Sequence, residues 1–107
     1  LIKLNKLNVS GNSIISVSEI FKLVKLKELN LSYNNIVNLH GIENLKQLEI
    51  LNISYNQINE LSPLYSMKQL KQLLISNIGI IDEKNLKNQL PNTIITIIGR
   101  DTHDSLM

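Results

Sequence analysis

The 107-residue chain has no cysteine, no tryptophan and no alanine, and aromatic residues make up only 4% of it. Without cysteine there is no disulfide, no thiolate nucleophile, no Cys-ligated zinc and no Cys-dependent ubiquitin transfer. A reducing compartment is permitted. With so few aromatics, the interior has to be built from leucine, isoleucine and valine. The glycines, at 11, 41, 79 and 99, have no spacing that makes a phosphate-binding loop. No apolar run is long enough to cross a bilayer, and no signal-peptide pattern opens the chain. The net charge of +2 comes from interspersed signs, which gives no case for nucleic acid or membrane insertion.

What is present is one phrase written twice. LNLSYNNI at 29–36 returns as LNISYNQI at 51–58, and both belong to a frame of 22 residues that starts at Leu4. The first position of the frame is Leu4, Leu26, Leu48 and Leu70. The fourth is Leu7, Leu29, Leu51, Leu73 and Ile95; the sixth is Val9, Leu31, Ile53, Ile75 and Ile97. Asn12, Asn34 and Asn56 hold the ninth, where Ile78 then breaks the series, and Ile14, Ile36, Ile58 and Ile80 hold the eleventh. Apolar residues recur at positions fourteen, seventeen and twenty. The repeats are 4–25, 26–47, 48–69 and 70–91, with a capping strand at 92–98 and a tail at 99–107.

Alternation at positions four and six suits a short strand with two inward side chains. Each strand pairs with its copy one repeat away, as a parallel sheet. The three-residue rhythm after position eleven suits an extended or 3₁₀ return arm. A buried asparagine at position nine can satisfy turn amides and carbonyls that the sheet leaves unpaired. One such repeat cannot bury enough apolar surface alone, so stability belongs to the stack.

The fourth repeat departs from the pattern. Glu83 and Gln89 stand where apolar residues are expected, while IIDEKNLKNQLPN offers Asp82 as an N-cap, Leu86 and Leu90 at i,i+4, and Pro91 as a stop. This predicts a capping helix at about 83–90 and a final strand at about 93–98. At the other end Leu1 occupies position twenty of a repeat that is not there, as expected of a fragment. An open end of that kind exposes Leu4, Leu7 and Val9 and invites self-association.

The pattern L-x-x-L-x-L-x-x-N-x-I resembles the leucine-rich repeat over residues 1 to about 98. Its 22-residue period is similar to the subclass shared by the phosphatase-1 regulatory leucine-rich protein, axonemal dynein light chains and bacterial internalins. INELSPL at 58–64 resembles the internalin style, and QLPNTIITI the terminal turn of many such domains. The resemblance implies a right-handed α/β solenoid with a parallel concave sheet and short convex arms. It also implies a module that binds a protein or peptide.

Few residues suggest chemistry. His40 falls on the convex arm, and His103 lies in DTHD, which reads as a polar tail before it reads as a metal cluster. Ser10, Ser32, Ser54 and Ser76 share position seven without any base beside them, so nucleophilic catalysis has no support. An enzyme is not expected, nor a cofactor or metal. The N-x-S triplets at Asn8, Asn30 and Asn52 follow from the repeat and weigh against eukaryotic secretion. A cytoplasmic location is favoured, with the bacterial surface or secretion as the alternative.

The face of interest follows from strand geometry. With positions four and six inside, three and five point out from the concave sheet and eight borders it. Position three is Lys6, Glu28, Ile50 and Gln72; five is Asn8, Asn30, Asn52 and Leu74; eight is Gly11, Tyr33, Tyr55 and Asn77. Ile50, Leu74, Tyr33 and Tyr55 thus gather on neighbouring strands where polar residues are expected. Tyrosine gives large contact area at low rotamer cost, although it can also simply pack over the turn. The partner-binding face is therefore expected at Tyr33, Tyr55, Ile50, Leu74, Asn30, Asn52, Glu28 and Gln72, rimmed by Lys27, Glu49 and Lys71. The alternatives to a free-standing module are a fragment of an internalin-like adhesin or effector, a targeting domain of a larger enzyme, or a purely structural role with contacts on the convex arm or edges.

Overall fold

A computed structural model describes residues 4–79 and 81–98; Leu1, Ile80 and the whole DTHD tail lie outside them. Five three-residue strands, β1 (Lys6–Asn8), β2 (Glu28–Asn30), β3 (Ile50–Asn52), β4 (Gln72–Leu74) and β5 (Ile94–Thr96), form one sheet in sequence order. Every pairing is parallel and in the register of the frame, so that Leu7, Leu29, Leu51, Leu73 and Ile95 stand side by side. The final strand is shorter than the expected 93–98, because only its middle keeps a ladder with β4. Backbone bonds continue one residue past the other strands, as from Leu31 N to Asn52 O at 2.8 Å.

The return arms turn through short 3₁₀ segments at Ile20–Lys22, Ile42–Asn44 and Ser62–Leu64. The third comes two frame positions early, where Pro63 fixes the φ of its first turn. Between sheet and arms lies a continuous aliphatic core. Leu26, Leu31, Ile36, Leu39, Ile42, Leu45, Leu48, Leu51, Ile53, Leu64 and Leu73 are fully buried. Leucine and isoleucine fit because each position repeats with constant volume, and layers of equal thickness stack without gaps.

The capping helix α1 runs from Glu83 to Gln89, with Leu90 as its C-cap. Asp82 accepts from Asn85 N at 3.0 Å, as the N-cap reading expected. Leu86 and Leu90 are buried against the last repeat. Polar ties hold the cap as well: Asn85 Nδ2 donates to the Tyr65 hydroxyl at 3.0 Å, and Thr93 Oγ1 donates to Leu70 O at 2.9 Å. At the opposite end Leu4 is exposed, while Leu7 and Val9 are half-buried.

The asparagine ladder is real but uneven. Asn34 and Asn56 are 5% and 4% exposed. Asn34 Oδ1 accepts from Asn12 N and Ile14 N of the preceding repeat, at 2.9 and 2.8 Å, and its Nδ2 donates to Leu31 O. Asn56 repeats the arrangement, accepting from Ile36 N and donating to Leu31 O, Ile53 O and Ser54 O. Asn12, expected as a buried member, is instead exposed; its Nδ2 bonds only Val9 O and Ser10 O within its own turn. Where Ile78 replaces the asparagine, the link passes to position seven. Ser54 Oγ accepts from Ser76 N at 3.0 Å, and Ser76 Oγ accepts from Ile98 N. Among the described residues, no buried polar side-chain atom lacks a partner.

Candidate functional site

Parallel register turns the outward positions into columns. Lys6, Glu28, Ile50, Gln72 and Ile94 make one; Asn8, Asn30, Asn52, Leu74 and Thr96 make the next. From β1 to β4 they floor a groove of about 580 Å³ on the concave face, with Ile94 and Thr96 beyond its end. Its chemistry changes along the solenoid. Over β1 and β2 it is polar, with Lys6 paired to Glu28 at 3.1 Å. Over β3 to β5 aliphatic residues join the polar ones: Ile50 and Leu74 are half-buried, and Ile94 on the next strand is 65% exposed.

Ile94 was missed by sequence reasoning, although the frame that places Ile95 at position four also places Ile94 at position three. TIITII was read as a cap, so its outward residues were not entered into the columns. Ile50 and Ile94 lie two strands apart, roughly 9–10 Å at the usual strand spacing, with Leu74 on the strand between them. Gln72 sits between the two isoleucines in their own column and is exposed.

Asn30 and Asn52 lie on the same face, and the side-chain oxygen of each is engaged in its own turn. Asn30 Oδ1 accepts from Ser32 N at 3.0 Å and from Ser32 Oγ at 2.6 Å, and Asn52 Oδ1 accepts from Ser54 N at 3.0 Å. These carbonyl oxygens cap the turn after each strand, which is why the triplet N-x-S recurs. At the rim of strand entry, Lys71 pairs with Glu49 at 3.6 Å. These exposed pairs shape the surface rather than stabilise it.

Tyr33 and Tyr55 meet at the other rim, where the chain leaves the strands. Their rings stack with centroids 4.3 Å apart and planes within 7°. Both stay open to solvent, at 59% and 41% exposure. The Tyr33 phenol is pushed above its ordinary pKa, first by desolvation and then by the hydrogen bond and charge of Tyr55. Their backbone is unusual: φ is +57° at Tyr33 and +58° at Tyr55. Gly11 and Asn77, the residues at the same frame position, are also left-handed, at +70° and +53°. Glycine and asparagine adopt that conformation readily, whereas a bulky side chain is strained in it. The sequence carried this signal, since Gly and Asn flank the tyrosines in column eight.

The described residues contain no group of His, Asp or Glu that could hold a metal ion, and no helix long and apolar enough to cross a membrane. His40 is exposed on the convex side; His103 lies outside the described residues.

Comparison with known proteins bears on the repeat fold. A family model for leucine-rich repeats, in two copies, matches residues 24–66, the segment with both SYN phrases. Internalin C2 of Listeria monocytogenes superposes with a TM-score of 0.78 at 31% identity, over 87% of this chain and 41% of its own. This chain folds as a leucine-rich repeat solenoid. Its solenoid is internalin-like: internalin F of Listeria monocytogenes aligns with a TM-score of 0.76 at 33% identity, over 88% of this chain and 28% of that one. A leucine-rich repeat protein of Leptospira interrogans aligns at 0.75 and 29%, over 87% and 25%. The leucine-rich repeat chain described here thus spans less than half the length of each of these relatives. No curated protein matches it. The leucine-rich repeat is a protein-interaction fold, and its curved sheet offers an extended surface.

Proposed function

We propose that this leucine-rich repeat domain is a non-enzymatic module that holds a protein or peptide on its concave face. The observation that carries the reading is the Ile50, Leu74 and Ile94 cluster on a sheet surface that is otherwise polar. Aliphatic side chains left on a solvent-facing strand lower no folding energy there, but they contribute when a partner covers them. The strands hold these side chains on a fixed grid, so binding orders few groups and loses little entropy.

A paired capture tests this. Wild type and an Ile50→Thr/Leu74→Asn/Ile94→Thr variant, each shown to be folded by circular dichroism, are used as baits on the same lysate. Loss of a specific partner from the variant is expected. Equal recovery by both baits overturns the concave assignment and moves the search to the convex arms or edges.

A second reading is favoured by the comparisons: the chain is part of a bacterial internalin-like surface adhesin or effector. Its similarity to two Listeria internalins supports it. Limited protease treatment of intact source cells checks it, since a surface protein is cleaved before the cells are permeabilised.

A further inference from the structure

We infer that Tyr33 and Tyr55 form an oxidative coupling site, where a one-electron oxidant of the peroxidase class joins the two rings ortho to ortho and staples the inner repeats covalently. The site works without any partner on the concave face.

Its geometry is that of a reaction pair. The ring centroids are 4.3 Å apart and the planes lie within 7°. Parallel register sets the two tyrosines one strand apart, with Tyr33 N donating to Ser54 O at 3.0 Å. The side chains are thus related nearly by a translation. Corresponding ring atoms, the ortho carbons included, lie about as far apart as the centroids. A hydrogen bond also joins the two side chains. Rings held face to face in this way react without the entropic cost of bringing two separate phenols together.

Composition and burial direct the oxidant to this pair. The chain has no cysteine and no tryptophan, so neither a thiol nor an indole is oxidised first. Met67 is 2% exposed. The third tyrosine, Tyr65, is half-buried on the return arm, and its hydroxyl accepts from Asn85 Nδ2 at 3.0 Å. Tyr33 and Tyr55, by contrast, are 59% and 41% exposed. Both keep a left-handed backbone, at φ +57° and +58°. Strain retained under two bulky rings side by side points to a use for the rings.

In the reaction each phenol gives up one electron and its hydroxyl proton, which leaves two phenoxyl radicals with spin density on the ortho carbons. The two unpaired electrons form a carbon–carbon bond. Each ortho hydrogen then passes through water to its ring oxygen and restores the phenol. Hydrogen peroxide takes up the two electrons and two protons and becomes two waters. Without cysteine the chain has no disulfide, and a bond between residues 33 and 55 supplies the same kind of constraint on the unfolded chain.

The test treats the full 107-residue chain, at low concentration, with a peroxidase and limiting hydrogen peroxide. The expected product is a monomer lighter by two hydrogens, with the blue fluorescence of coupled phenols, in which tryptic peptides 28–46 and 47–68 stay joined. Its thermal midpoint should rise by roughly 5–15 °C. Tyr33→Phe and Tyr55→Phe, each shown to be folded by circular dichroism, keep a ring in the stack but lack the hydroxyl and should abolish the link. Tyr65→Phe should leave it intact, which separates the two tyrosines of peptide 47–68. In urea the yield of coupled monomer should fall about tenfold, because the pair is no longer held together. An unchanged monomer mass, covalent dimers in place of coupled monomer, or a link that survives Tyr55→Phe overturns the site. An equal yield in urea overturns its geometric basis, and a coupled chain that melts no later than the untreated one overturns the staple.

Discussion

The two inner repeats, 26–47 and 48–69, differ from the two outer ones at the same frame positions. Inside, position nine is a buried asparagine and position eight a stacked tyrosine. Outside, position nine is the exposed Asn12 or the buried Ile78, and position eight is Gly11 or Asn77. The residue at position eight is left-handed in all four, but at position ten only the outer repeats are left-handed, at Ser13 (φ +55°) and Gly79 (φ +106°). The turn therefore closes in two ways, with a second left-handed residue where the buried asparagine is missing. Asparagine is needed where a carboxamide is enclosed between two turns and must satisfy both. Tyrosine sits where the fold alone would have chosen glycine or asparagine.

Asn56→Ala should have the largest effect, because it strands Ile36 N and Ile53 O and takes a second donor from Leu31 O and Ser54 O, which keep Asn34 Nδ2 and Tyr33 N. A loss of about 3–5 kcal/mol is expected in urea unfolding, read as a lower midpoint at unchanged slope. Ile78→Asn sharpens the contrast from the other side. It gives up a buried aliphatic side chain in a turn already served by Ser54 and Ser76, so a cost of about 1–2 kcal/mol is expected. A gain in stability would show that the ladder is merely interrupted there rather than replaced. Asn12→Ala removes two bonds within one exposed turn, where water can substitute, and should cost less than about 1 kcal/mol. A cost equal to that of Asn56→Ala would erase the distinction between inner and outer repeats.

The smallest effect concerns Tyr33. Its phenol should titrate above the ordinary tyrosine range, followed by absorbance of the phenolate, and Tyr55→Phe should bring it part of the way back. The largest cause, desolvation, survives that change, while the hydrogen bond and charge of Tyr55 do not. Because the folded state favours the neutral phenol, its contribution is present below the unfolded pKa and fades as pH rises through the raised value.

The frame, the columns and the capping helix could all be read from the sequence, because each follows from a period that survives without insertion. Leu86, Leu90 and Asp82 announced the helix by spacing alone. The stacking of Tyr33 on Tyr55 could not be read in the same way, since it depends on ring orientation rather than on register. The buried serines at 32, 54 and 76 were weighed only as nucleophiles, yet the latter two carry the link that Ile78 drops. Ile94 was legible and passed over, because a segment recognised as a cap was not also treated as part of a surface. Asn12 was expected to be buried because its letter matched, but burial of that side chain depends on a neighbouring repeat and not on its own turn.

The carboxamide of Asn34 accepts from amides of the repeat before it, and that of Asn56 does the same one repeat later. The dependence therefore has a direction. Each turn is completed by its successor, so trimming the array from its C-terminal end removes acceptors that an earlier repeat needs. The nitrogens run the other way: trimming from the N-terminal end takes Val9 O from Asn34 Nδ2 and Ile14 O from Asn35 N. Each inner turn is thus tied from both sides, and at the end where no further buried asparagine follows, the serine links and α1 act as the fastener.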